Sequence, residues 1–134
     1  MTSKLTALER AVAEAIAREY PDATDALLRQ LQNAVVTSRD FTGVGFFTEF
    51  DVPRDGPPAK DLVGPVGHIC ALVGSERYPL EFMLYVRGGY AEMIEAYSFE
   101  DGYGDLDLLT AEFTPPVESD FQTVEAEPQA TSEK

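Results

Sequence analysis

A glycine pair limits the folding of this chain more than any other part of its sequence. Gly88 and Gly89 separate two alternating apolar and polar runs within residues 80–99, LEFMLYVRGGYAEMIEAYSF. Two glycines can take the left-handed backbone that a two-residue hairpin turn of type I′ or II′ demands, so the stretch predicts a β-hairpin. So short a turn also dictates register: Arg87 opposite Tyr90, Val86 opposite Ala91, Tyr85 opposite Glu92, Leu84 opposite Met93, Phe82 opposite Glu95 and Leu80 opposite Tyr97. Opposed residues share a sheet face. One face is then Leu80, Phe82, Leu84, Val86, Ala91, Met93, Glu95 and Tyr97, with Glu95 the single carboxylate among apolar neighbours. The other, with Met83, Tyr85, Arg87, Tyr90, Glu92 and Ile94, is half apolar and suits a partner surface.

A second strand-rich stretch, residues 35–52 (VVTSRDFTGVGFFTEFDV), alternates in the same way. Val44, Phe46, Thr48, Phe50 and Val52 fall on a drier face, and Gly45, Phe47, Glu49 and Asp51 on the other. Gly43 tolerates positive φ, so residues 41–44 read as a tight turn between strands 35–40 and 44–52; one long strand bent at a bulge near Gly43 and Gly45 is the alternative. Both place Phe46 and Phe50 in the core.

Upstream of these strands the period lengthens. Leu5, Leu8, Val12, Ala15 and Ile16 recur at helical spacing, and Thr6 with Glu9 forms an S/T-x-x-E capping arrangement, predicting a helix over 5–20 that Pro21 ends. A second helix, capped by Asp22 or Thr24, carries Ala23, Leu27, Leu28, Leu31 and Val35, and the short link predicts an αα-hairpin. Residues 53–65 hold four prolines and read as a surface loop, either a flap or an insertion. Residues 66–73 resume strand character, and 74–77 are turn-like. The fold class is therefore α+β: an N-terminal αα-hairpin on one face of an antiparallel sheet of about four or five strands, within a single domain over residues 1–113. Residues 114–134 begin at Pro115-Pro116 and are acidic and apolar-poor, which predicts a disordered tail.

Charge narrows the choice of partner. The formal net charge is −14; residues 1–87 hold 12 acids and 9 bases, a net of −3, and residues 88–134 hold 12 acids against Lys134, a net of −11. Such a field repels phosphate and anionic lipid, which argues against nucleic acid and membrane surfaces and for a basic protein or a cation. The lone Cys70 cannot form an internal disulfide, no apolar run reaches the length of a membrane span, and Glu9, Glu14 and Glu19 interrupt any signal-peptide core. A reducing cytoplasm is the expected location.

Candidates for chemistry are few. A desolvated Glu95 could serve as acid, base or cation ligand, or could simply pair with Arg39 or His68 or sit at a sheet edge where water reaches it. His68 and Cys70 stand two residues apart, but one His and one Cys cannot close a zinc site. Residues 100–107 bring Glu100, Asp101, Asp105 and Asp107 together with two glycines; the run lacks the EF-hand pattern and reads as a solvated acidic turn. Gly43-Val44-Gly45 is not followed by the residues of a phosphate cradle. No metal or cofactor is implied.

The runs TSRDFTGVGFFTEFDVP (37–53) and FMLYVRGGYAEMIEAYSFED (82–101) resemble a group of small uncharacterised bacterial proteins with a T-S-R-[DE]-F-T-G-V-G-F-F-T segment and a later hydrophobic hairpin. The resemblance spans most of residues 5–107 and implies a shared fold without an activity. The function expected from the residues is a non-catalytic interaction or regulatory protein, antidote-like, whose surface combines Met83, Tyr85, Arg87, Tyr90, Glu92 and Ile94 with the acids Glu100, Asp101, Asp105 and Asp107. The rival is a small-molecule or metal-binding module, or weak enzyme, with Arg39, His68 and Glu95 converging in a pocket. A homodimer through the hairpin face is a third arrangement.

Overall fold

The computed structural model describes residues 4–98 and 111–118. Helix α1 spans Ala7–Ala17 and opens with the expected box: the Glu9 N–H donates to the Thr6 hydroxyl at 3.2 Å, and the Thr6 N–H donates to the Glu9 carboxylate at 2.8 Å. Its apolar residues Leu8, Val12 and Ile16 are fully buried. Helix α2 spans Thr24–Gln32, with Ala23 at its N-cap and no side-chain cap. The expected capping by Asp22 or Thr24 is thus not realised. The Thr24 hydroxyl instead lies within donating distance of the carbonyls of Ala17 (2.8 Å) and Tyr20 (3.0 Å), adding to the backbone bonds those carbonyls accept from Tyr20 and Ala23 where α1 ends.

Strands β1 (Val35–Phe41) and β2 (Gly45–Asp51) are joined by the tight turn read from the sequence, with Gly43 at φ 92°. They are followed by β3 (Gly64–Val73), β4 (Tyr78–Arg87), β5 (Tyr90–Tyr97) and β6 (Val117–Glu118). The fold is α+β, as expected, and the sheet is antiparallel with order β1-β2-β5-β4-β3-β6. Its six strands exceed the expected four or five because the chain beyond Thr114 contributes to it. The Thr114 N–H donates to the Leu72 carbonyl, the Leu72 N–H donates to the Thr114 hydroxyl, both at 2.9 Å, and Val117–Glu118 pairs with Ile69 and Cys70. The acidic residues Glu100, Asp101, Asp105 and Asp107, and the tail beyond Glu118, lie outside the described residues.

The 88–89 hairpin forms, with φ 60° and 86° at its two glycines, but its register departs from the expected one. Arg87 opposes Tyr90 and Val86 opposes Ala91; then the ladder shifts, and Tyr85 opposes Met93, Leu84 opposes Ile94, Met83 opposes Glu95, Phe82 opposes Ala96 and Glu81 opposes Tyr97. Glu92 is the extra residue of a β-bulge. Because strand side chains alternate, one inserted residue exchanges the faces of everything after it. Ile94 is fully buried and Glu95 turns to the opposite side, which corrects both the buried carboxylate and the exposed isoleucine of the unbulged register. The energetic reason is plain: an unbulged strand would bury an unpaired carboxylate and expose an isoleucine, a combination costing several kcal/mol.

Both helices pack on the face built from Phe46, Thr48 and Phe50 of β2, Ile69, Ala71 and Val73 of β3, Leu80, Phe82, Leu84 and Val86 of β4, and Ile94 and Ala96 of β5. A tether holds the hairpin turn to α2. Gln30, buried, donates from Nε2 to the Gly89 carbonyl (2.9 Å) and accepts the Ala91 N–H (2.8 Å). The proline-rich loop closes over the same turn: the Ala59 N–H reaches the Gly89 carbonyl at 2.7 Å, and a Cβ at residue 89 would stand 2.4 Å from Pro58 Cβ.

Candidate interaction surface

The face away from the helices is where the bulge has most effect. Cross-strand partners line it in rows: Asp40, Phe47, Glu95 and Met83 in one, Ser38, Glu49, Met93, Tyr85 and Pro65 in the next, and Gly45, Tyr97, Glu81 and Cys70 in a third. Glu95 therefore has Phe47 and Met83 directly beside it, and Met93 and Tyr97 two residues away along its own strand. All five are half-buried, and neither described helix covers them. Tyr85 completes the ring by donating its hydroxyl to Glu95 Oε1 at 2.7 Å. That bond, with burial and the nearby Glu95 charge added, pushes the Tyr85 phenol up to about 12.

Beside this ring lies a hollow of about 420 Å³ lined by Glu49, Asp51, Arg54, Tyr85, Arg87 and Glu92 among others. Arg87 pairs with Glu92 at 3.4 Å, and Arg54 lies 4.8 Å above the Tyr90 ring. The described acids of this side, Asp40, Glu49, Asp51, Glu81, Glu92 and Glu95, outnumber those two bases. This side of the sheet therefore sets half-buried aromatic and methionine side chains around a carboxylate.

Of the hairpin residues singled out in the sequence, Met83, Tyr85, Arg87 and Glu92 lie on this side. Tyr90 is held under the loop by its hydroxyl, which donates to the Gly56 carbonyl at 2.8 Å, and Ile94 is core. Sequence periodicity in the hairpin alone missed Met93 and Tyr97, because they change face only through the bulge, and Phe47 and Glu49, because nothing local reveals that β2 lies beside β5.

Arg39, His68 and Glu95 are not brought together. Arg39 lies on β1 facing the helices; His68 is exposed on β3, four strands along the sheet and so roughly 19 Å distant at ordinary strand spacing; Glu95 is on the other face. Arg39 belongs to a different constellation. Its Nε and Nη2 donate to the two oxygens of Glu9 at 2.8 and 2.7 Å, and the Thr48 hydroxyl donates to the same carboxylate at 2.5 Å. Glu9 is fully buried. Burial pushes its carboxyl up, but the hydrogen bonds from Arg39, Thr48 and the Thr6 N–H outweigh this, and the net position is below the ordinary range. Near His68, burial pushes Glu19 up, the His68 N–H (3.3 Å) pulls it down, and the Glu118 charge adds to the rise. Among the described residues no group of three or more His, Cys, Asp or Glu side chains could hold a metal ion, and no helix is long and apolar enough to cross a membrane.

No family model, curated protein or solved structure matches this chain, so its site is read from its own residues.

Proposed function

We propose that this chain is a non-catalytic cytoplasmic binding module that captures a basic protein in the manner of an antidote, through the open face of its sheet. One observation carries the reading: Glu95, ringed by Phe47, Met83, Tyr85, Met93 and Tyr97, is a carboxylate placed where a partner's lysine or arginine can be both packed and neutralised. The net charge of −14 supports it, since a strongly acidic surface accelerates encounter with a basic partner and repels a second copy of itself. Burying such a ring against a partner places a charged pair among aromatic anchors, the arrangement in which few residues carry most of the affinity.

Affinity capture from the native cell tests this with three baits: the unaltered chain, Glu95→Arg, and Glu76→Lys on the exposed β3–β4 turn. The expected result is a basic protein retained by the first and third baits and lost from the second. Equal retention by all three, or loss with Glu76→Lys alone, contradicts the proposal.

A further inference from the structure

The two edges of the sheet are treated differently. At the β3 edge the chain covers itself: Phe113 bridges Val73, Thr114 exchanges hydrogen bonds with Leu72, and β6 pairs with Ile69 and Cys70. At the other edge, among the described residues, β1 pairs with β2 alone and no segment lies along its outer side. A seven-residue edge strand such as β1, left open by the described residues, presents a row of backbone donors and acceptors that can accept another strand. β1 contains no proline and no lysine; its deterrents are a bulge between Val36 and Ser38 and the charges of Arg39 and Asp40, the first of them already held by Glu9. Val35 and Phe41 of β1 and Val44 just beyond it are 37%, 48% and 43% exposed; the other exposed large apolar residues, Val63 and Val117, lie away from this edge.

We infer that the open edge of β1 receives an extended segment of the basic partner by strand addition, and that this segment alternates basic with apolar residues. This rests on the reading of the open face given above and names the form in which the partner binds. The alternation follows from what flanks the edge on each side. Toward the helices, an added strand meets half-buried Val36 and exposed Phe41, with Arg39 already held by Glu9; apolar side chains fit there. Away from the helices it meets Asp40, with Glu49 and Asp51 behind it on β2; Arg54 and Arg87 line the hollow beside those two, while Asp40 on the edge strand itself has no ion pair among the described residues, and lysine or arginine fits there. Main-chain bonds then supply affinity and alternate side chains supply specificity. A second copy of β1 is a poor occupant, because it would bring another Asp40 and another net charge of −14 to the same edge.

The test uses the full chain and a heptapeptide, RVRFRVR, together with its counterpart N-methylated at alternate residues, which keeps the charge but cannot complete a ladder. Slowed amide exchange at alternate β1 residues is expected with the first peptide. Binding of the second should be at least about tenfold weaker, and Asp40→Lys should weaken the first by a similar factor. Equal binding of the two peptides, or self-association of the protein through β1 in sedimentation, overturns the inference. If β1 stays unprotected while side chains around Glu95 respond, the edge inference fails and the face reading stands; if neither responds, both fail.

Discussion

At Glu9 four donors meet two carboxylate oxygens, and this one residue ties the first turn of α1 to β1 and β2. Removing its charge strands the Arg39 guanidinium, whose side chain is only 17% exposed, so Glu9→Gln should cost about 3 kcal/mol of unfolding free energy in urea titration. Replacing both partners by Glu9→Gln with Arg39→Met should cost less than the sum of the single changes, since neither partner is then left unpaired. The folded carboxyl titrates below the unfolded value near 4.5, so its contribution is complete above that pH and is lost as pH falls through the folded value. The stability gap between the unaltered chain and Glu9→Gln should therefore narrow on acidification below pH 4.5. Tyr85 runs the other way. Its phenol is raised to about 12 from 10.0, so its contribution is intact below pH 10.0 and disappears as pH rises through 12. Glu95→Gln should return that tyrosine toward 10.0 in a spectrophotometric titration. The Thr6-x-x-Glu9 box was legible in the sequence; that the same carboxylate also holds Arg39 was not, because a contact across 30 residues leaves no local pattern.

The hairpin is the element where local chemistry and tertiary demand diverge. The glycine pair announced the turn correctly, yet a turn sets register only for the first pairs, and the bulge at Glu92 is decided by which phase of β5 buries Ile94 and Ala96. A trace of this was present in the sequence, where Ala91 and Met93 share one phase and Ile94 and Ala96 the other. The two glycines are not equivalent. A side-chain carbon added at Gly88 would meet nothing within 4 Å, so Gly88→Asn, which tolerates left-handed backbone, should cost under about 1 kcal/mol. At Gly89 the added carbon meets Pro58, and Gly89→Ala should cost roughly 2 kcal/mol or more, read from thermal or urea unfolding. Gln30→Ala removes the acceptor of the buried Ala91 N–H and should cost about 1 to 3 kcal/mol. Helix capping shows the same limit on a smaller scale, for Thr24 had the right chemistry to begin α2 and is used to finish α1.

Across the whole molecule, the α+β class, the helix pair at the N-terminus and the drier face of β2 all followed from periodicity, because one-sided burial imposes it on every element. Strand order did not. The placement of β5 between β2 and β4, which sets Phe47 beside Glu95, depends on pairings far apart in sequence. Charge was legible in total and not in arrangement: the composition predicted an acidic partner surface, and the sheet decides that Asp40, Glu49, Asp51, Glu81 and Glu95 share a side. The functional proposal stands or falls on whether this side, centred on Glu95, docks a cation-bearing protein. Met83 and Met93 flank Glu95, so methyl NMR of methionine reads out this surface directly. On titration with a small arginine-rich protein, the Met83 and Met93 signals should shift together, and Glu95→Arg should abolish the response. Unmoved Met83 and Met93 signals, or equal shifts in Glu95→Arg, would refute it.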